Sequence, residues 1–393
     1  MKMEAVAGAH TSKMTREEIL RRAEALVPVL RERAPEAERL RCCPDQTVAD
    51  YISNDLLRLC MPARFGGFEL GYDVLCETSQ TLARGCGSQA WVHMVFTDNA
   101  LKLASFTPQA QEEVWGKSPN AKLSNAVAPL GKGRVVKGGV HWTGRHPFSS
   151  GVDHADWVMA TGYVERGEKK QTVSVLVPKS DVKIIDDWHV VGLAGTGSKT
   201  FEINDAFVPE HRILSKDDED AAGPALYSSP VFHLPRGGVS SASFVSVVVG
   251  VAEGMLAEYI AYTGPRLSRS IVMAEQTGTQ ITLGIAAAEI EAAAVMYLGP
   301  LRETMQLLER GEPVPKTQNL RGRRNNAYAA QLSITAVQRL FNAAGGRALY
   351  LDSPMQRMFR DCHAAAAHHS LMWDQAAAGY GRHVLGVKGK DQH

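Results

Sequence analysis

Near the end of the chain stands Phe359-Arg360-Asp361-Cys362-His363, followed by a run of alanines and then the pair His368-His369. An imidazole has an unperturbed pKa of about 6.5, so it can donate or accept a proton near neutrality, and a histidine pair beside an Arg-Asp step is a candidate proton-handling site. On a helix, neighbouring residues point about 100° apart, so one of the two histidines would face a given site. A second candidate is Ser149-Ser150-Gly151. A hydroxyl there can donate or accept a hydrogen bond, although Ser-Gly runs commonly just end strands in turns. Arg269, eleven residues before Gln280, carries a guanidinium suited to bidentate phosphate contact; Arg266 competes with it on spacing alone. The run Gly192 to Thr200 imitates a phosphate-binding loop, but its lysine and threonine come one residue late. Phe201-Glu202-Ile203 then reads as strand where such a loop needs a helix N-terminus. Metal ligands at productive spacing, such as an H-x-x-x-H pair, are not found.

These residues need a scaffold, and the chain is long enough to supply one. At roughly 100–200 residues per domain, 393 residues with 45% hydrophobic side chains suggest two or three domains with a large core. Forty-three basic against forty-two acidic residues leave a formal net charge of +1, so no overall field favours nucleic acid or an anionic membrane as partner. Cys42, Cys43, Cys60, Cys76, Cys86 and Cys362 form no C-x-x-C pair, and reduced thiols are expected. No opening apolar run has signal-peptide length and no segment reaches about 20 uninterrupted apolar residues, so a soluble cytoplasmic protein is expected.

Three regions follow from the patterning. Thr15 caps a helix with Glu17 and Glu18 in its first turn and Ile19, Ala23, Leu26, Val27 and Leu30 on one face. Further helical segments over 47–60, 74–83 and 85–102 make 1–122 an all-helical domain. From Leu123 the pattern changes to short β-branched runs, as in 156–163, 172–178 and 200–208, so 123–232 is read as a β domain. Within it the charged stretch 215–224 reads as an exposed loop. Apolar-periodic segments over 236–262, 266–309, 318–344 and 354–378 predict a four-helix bundle in 233–393. Its second helix carries Ile285, Ala288, Glu289, Ala292 and Met296, a spacing for close helix packing or subunit contact.

Taken in order, several blocks resemble the acyl-CoA dehydrogenase superfamily over nearly the whole chain. Met61-Pro62-Ala63-Arg64-Phe65-Gly66-Gly67 is similar to that family's turn between its second and third helices. Ser124 to Pro129 and Trp142 to Gly151 resemble the two segments lining the flavin ring. Gly195-Thr196-Gly197-Ser198, the run Phe207 to Arg212, Arg269 with Gln280, and the closing Arg360-Asp361 complete the set. Histidines stand where a medium-chain dehydrogenase places its proton-abstracting glutamate. With that change the whole resembles the flavin-dependent two-component monooxygenases, the branch of the hydroxyphenylacetate and hydroxysecosteroid hydroxylases.

The resemblance implies an α+β, mainly α, acyl-CoA dehydrogenase-like fold that assembles as a homotetramer. It implies an oxygenase component that takes reduced FMN or FAD from a separate NAD(P)H:flavin reductase and forms a flavin hydroperoxide with O2. An aromatic substrate, phenol-like or polycyclic, is then hydroxylated. Such an adduct persists where water is excluded and the neighbouring ring nitrogen keeps its proton. By the resemblance Ser150, or Ser149 one position earlier, meets that nitrogen, and Phe148 lies near the ring. The proton-handling role falls on His368 counted from the Arg-Asp pair, or on His369 counted from the dehydrogenase glutamate; the first is preferred. His93, two residues after Trp91, is implied to reach the substrate oxygen, although a histidine on so apolar a helix is equally a core residue. Asn125 supplies an amide, Thr196 and Ser198 border the flavin mouth, and Arg269, Gln338 and the Gly345-Gly346 turn serve the phosphates and adenine. Trp91, Phe96, Phe148, Trp157, Trp188, Tyr227, Phe232 and Trp373 are available to line an apolar pocket. Two alternatives remain: an acyl-CoA dehydrogenase using FAD, for which Asp374 comes five to six residues late as the base, and a non-catalytic DNA-binding member of the fold using Arg321, Arg323 and Arg324.

Overall fold

The computed structural model describes residues 14–167, 169–268 and 270–387. Helix α1 (Arg16–Leu40) starts where the Thr15 side chain accepts a 3.2 Å bond from the Glu18 N–H, satisfying one donor that the first turn leaves open. It buries Ile19, Ala23, Leu26, Leu30, Ala34 and Ala37 along one stripe. Helices α2 (Asp45–Ser53), α3 (Tyr72–Ala83), α4 (Gly87–Leu103) and α5 (Pro108–Trp115) follow. Nearly every residue of α4 is buried, so it is a central helix, packed all round.

The sheet begins at β1 (Leu123–Val136) and continues through β2 (Gly139–Ser149), β3 (Trp157–Arg166), β4 (Lys169–Pro178), β5 (Lys183–Ile185), β6 (Lys199–Pro209) and β7 (Ile213–Ser215). Their order across the sheet is β5-β6-β2-β1-β3-β4-β7. β1 and β3 run parallel while the other neighbours are antiparallel, and the β1–β3 register shifts between Ala126 and Gly131. One face is filled by Val140, Trp142, Val158, Val164, Val175 and Phe201.

Helix α6 (Glu219–Leu226) occupies much of the charged stretch read as an exposed loop. The difference has an electrostatic cause: Glu219 is buried 3.7 Å from the buried Lys102 ammonium and also pairs with Lys216. The bundle comprises α7 (Arg236–Val239), α8 (Ser241–Thr263), α9 (Thr277–Glu309), α10 (Lys316–Ala344), α11 (Pro354–Ala366) and α12 (Trp373–Val384). Two departures from the expected helices bear on the site. A two-stranded ladder, β8 (Leu267–Ser268) with β9 (Ile271–Val272), precedes α9, which starts at Thr277 rather than near 266. The last expected helix breaks after Ala366, and His368 takes an extended conformation.

The bundle and the N-terminal helices share one core that runs from Ile19 through Val248 to Ala365. Glycine permits the closest approach: a Cβ at Gly250 of α8 would lie 2.1 Å from the Gln80 carbonyl oxygen of α3. The sheet keeps a separate core, and the residues considered next lie where the end of β2 meets α4, α8 and the segment after α11.

Candidate active site

Strand β2 ends by alternating its side chains. Phe148, at φ +61°, is 71% exposed and meets Trp188 edge-on at 6.0 Å, whereas Ser149 is fully buried. Ser149 Oγ is 2.6 Å from Ser124 Oγ, which donates to the Ser150 carbonyl at 2.8 Å. Ser150 turns the other way: its Oγ accepts the Trp91 indole N–H at 3.1 Å and lies 2.7 Å from Ser198 Oγ. Gly151 must be glycine here, because at φ +71° a Cβ would lie 2.7 Å from the Phe96 ring of α4.

Ser198 belongs to a turn in which Leu193 and Gly197 both have positive φ. The Leu193 N–H donates to Asp361 Oδ1 at 2.6 Å, so the Arg-Asp step on α11 holds this turn in place. Burial pushes the Asp361 carboxyl up to about 6, against the pull of the Leu193 N–H and of Arg357 and Arg360. Arg360 itself pairs with Glu38 of α1 at 2.6 Å and donates to the Val191 carbonyl.

Beyond α11, His368 stacks on Phe244 of α8, with ring centroids 3.8 Å apart, and meets Trp91 edge-on at 5.7 Å. Its Nδ1 accepts the Ser370 N–H at 3.3 Å. That bond places the proton of the neutral ring on Nε2, available to a partner in the cleft. Burial, with a smaller contribution from His369, lowers the His368 pKa to about 3, so the ring is neutral near pH 7. His369 is exposed, and burial lowers its pKa as well. The structure thus joins Ser150, Trp91, Phe244 and His368 in one continuous contact. Phe244 was not foreseen; it sits in a helix so uniformly apolar that no pattern singles it out.

Asn125 follows Ser124 on β1, where the register shift begins, and its buried Oδ1 has no hydrogen-bond partner. A buried amide oxygen left open is costly unless a ligand donor reaches it. Together with the one lone pair left on Ser150 and the uncovered Phe148 ring, this fits a planar ring that carries N–H groups, as a flavin does.

Other expected positions lie elsewhere. His93 is fully buried on the far side of α4 from Trp91, with Nδ1 3.1 Å from Ser79 Oγ and Nε2 3.0 Å from the Leu56 carbonyl. Burial lowers its pKa to about 4. Both nitrogens are engaged inside the helical core, so the expectation of a substrate contact is corrected to that of a core histidine. Arg269 lies outside the described residues. Its competitor Arg266 donates to the Ala344 carbonyl at 2.9 Å and covers Tyr262, against the Gly345 turn. Gln280 donates to the Ala274 carbonyl at 3.0 Å, and Gln338 is exposed on α10. Trp157 packs under Arg212, Tyr227 on Phe232, and Trp373 on Tyr328. Of the basic cluster, Arg321 pairs with Glu303 at 2.6 Å and Arg324 covers the Tyr380 ring, so both guanidinia face their own chain. Asp374 is exposed on α12.

A family model described as acyl-CoA dehydrogenase, C-terminal domain, matches residues 242–373. The chain is 35% identical over 376 residues to the flavin-dependent monooxygenase oxygenase subunit HsaA of Mycobacterium tuberculosis, covering 94% of this chain and 95% of that protein. It is 31% identical to the oxygenase component of the FADH2-dependent resorcinol hydroxylase of a Rhizobium strain, over 95% of each. The crystal structure of the HsaA monooxygenase from M. tuberculosis superposes with a TM-score of 0.92 at 34% identity, over 96% of this chain and 99% of that one. With these relatives spanning its length, the chain belongs to the oxygenase components of the flavin-dependent two-component monooxygenases, built on the acyl-CoA dehydrogenase fold.

Proposed function

We propose that this oxygenase hydroxylates a phenol-like or polycyclic aromatic substrate in the cleft between Ser150 and His368. Reduced FMN or FAD, delivered by a separate NAD(P)H:flavin reductase, supplies the electrons that activate O2 for transfer of one oxygen atom to the ring. Ser150 accepts a cofactor N–H, and Asn125 offers its open amide oxygen. Phe148 lies against the ring, with Ser149 bracing the turn from behind. His368 holds a hydrogen on Nε2 at neutral pH, where it can donate a hydrogen bond to developing negative charge. His369 stands at the exposed end of the same pair. Trp91 and Phe244 form an apolar wall that excludes water and so strengthens every polar contact inside it. Arg266 or Arg269 and the Gly345 turn, with Gln338, would take the cofactor's phosphates and adenine. The enzyme works in the cytoplasm as a homotetramer in which the exposed face of α9 meets other copies.

The observation that carries this reading is the continuous contact from the Ser150 hydroxyl through Trp91 to a neutral His368. It is tested by anaerobic reduction of FMN or FAD, mixing with the protein, and addition of oxygenated buffer with a panel of phenols and fused-ring aromatics. Hydroxylated product exceeding released hydrogen peroxide is expected for at least one substrate. Reduction of bound FAD by acyl-CoA thioesters, with no hydroxylation of any aromatic, would overturn it.

A further inference from the structure

Three buried hydroxyls stand in line behind the end of β2. Thr196 Oγ1 is 2.8 Å from the Leu193 carbonyl oxygen, Ser198 Oγ is 2.6 Å from Thr196 Oγ1, and Ser150 Oγ is 2.7 Å from Ser198 Oγ. All are 7% exposed or less, so bulk water does not compete for them. Each hydroxyl has one hydrogen and two lone pairs, and a carbonyl can only accept. Thr196 therefore gives its hydrogen to Leu193, Ser198 gives its own to Thr196, and Ser150 gives its own to Ser198. The Trp91 N–H, a donor only, takes one lone pair of Ser150 at 3.1 Å. What Ser150 has left for a ligand is its second lone pair.

A parallel line has the same sense. Ser124 donates to the Ser150 carbonyl at 2.8 Å, so the 2.6 Å contact between Ser149 and Ser124 is donated by Ser149. Neither serine of the turn aims a hydrogen at the cleft. In the reverse order Thr196 would donate to Ser198, Ser198 to Ser150, and Ser150 into the cleft, at the loss of the Thr196 bond to Leu193.

We propose that Thr196 and Ser198 are positioning residues that set the direction of this hydroxyl chain, so that the site prefers a cofactor ring bearing an N–H over one bearing a bare nitrogen. This inference rests on the flavin-site reading above and gives it a selectivity: reduced flavin, whose ring nitrogen carries a hydrogen, is favoured over oxidised flavin, whose nitrogen is an acceptor. An oxygenase that draws reduced cofactor from solution and must later release it oxidised gains from such a preference. It follows that Thr196 and Ser198 need not touch the flavin.

The test is an equilibrium measurement, independent of turnover. The dissociation constants of reduced FAD and reduced FMN, titrated anaerobically, and of oxidised FAD and FMN are compared for the full-length wild type and for Thr196→Val, Thr196→Ser, Ser198→Ala and Ser150→Ala. In Thr196→Val the Ser198 hydrogen loses its acceptor and turns to Ser150, whose own hydrogen then enters the cleft. The preference for reduced over oxidised flavin is expected to fall about 3- to 10-fold, the range of one neutral hydrogen bond. Ser198→Ala should behave alike, and Thr196→Ser, which keeps the hydroxyl, should retain the preference. Should Thr196→Val be too unstable to titrate, Ser198→Ala decides. If Thr196→Val and Ser198→Ala both keep the wild-type preference within about two-fold while Ser150→Ala loses it, the proposal is overturned and the flavin site stands. If Ser150→Ala also binds reduced flavin as wild type does, the flavin-site reading falls with it.

Discussion

At the scale of single residues, the proposed chemistry turns on an imidazole that burial holds neutral. His368 protonates only near pH 3 in the folded protein, against 6.5 for an unperturbed ring, so its state does not change between about pH 5 and 8. Replacing it with alanine should lower product formation by about 100-fold, the cost of losing one hydrogen-bond donor to developing charge, and raise hydrogen peroxide release. Affinity for reduced flavin should change little, as an anaerobic titration would show. By resemblance the segment Trp91-Val92-His93 brings His93 to the substrate, whereas the structure turns Trp91, not His93, toward Ser150. Two positions apart on a helix means about 200°, and the phase of α4 against the sheet is set by tertiary packing rather than by local sequence. Trp91 reaches Ser150 and His93 reaches Leu56 and Ser79. His93→Leu should therefore leave coupling of flavin to product intact while costing roughly 1–3 kcal/mol of stability, because it strands two buried polar partners. Denaturant unfolding beside product assays checks both halves; loss of coupling in a folded His93→Leu protein would restore His93 to the substrate site.

At the scale of elements, the junction of α11 with the Leu193–Ser198 turn is what brings α11 to the serines. Its link is Asp361, whose carboxyl sits at about 6 against 3.8 in the open. A raised acid is stable in the fold while protonated: its contribution is complete below the unfolded pKa and is lost as pH rises through the folded one. Asparagine keeps the acceptor for the Leu193 N–H and does not titrate. The stability of wild type relative to Asp361→Asn should thus fall by a few kcal/mol from pH 4 to pH 6, at about 1.4 kcal/mol for each tenfold difference in proton affinity between the folded and unfolded chain. Urea unfolding of both proteins across that range measures the difference, which cancels the histidines they share; a constant difference would refute the assignment. The sequence announced α11 through its apolar periodicity but not its end. Alanines followed by two histidines carry no glycine or proline to stop a helix, and the break arises because the His368 ring accepts the Ser370 N–H. The charged stretch around Glu219 misled for a related reason, since its burial depends on Lys102 more than a hundred residues away in sequence.

At the scale of the molecule, two helices, Arg236–Thr263 and Thr277–Glu309, are long and apolar enough to cross a membrane by composition alone. The first is buried in the shared core. The second is different. On one side α9 buries Ala286, Ile290, Ala293 and Tyr297 in the bundle, while Ile281, Ile285, Ala288, Ala292 and Val295 stay exposed on the other. Those five recur at alternating steps of four and three, the spacing of a helix seam that packs against another helix. A stripe of this kind leaves apolar area in water, and its burial against a second copy is worth about 25 cal/mol per Å². Charge placed on it should oppose that burial without touching the core behind it. On the proposal that this stripe meets other copies, Ile285→Glu combined with Val295→Glu should shift the protein toward single chains in sedimentation equilibrium without detergent, while its helical circular dichroism stays at the wild-type level. Wild-type protein sedimenting as single chains under the same conditions, or requiring detergent to stay in solution, would show that this stripe serves something other than another copy of the enzyme.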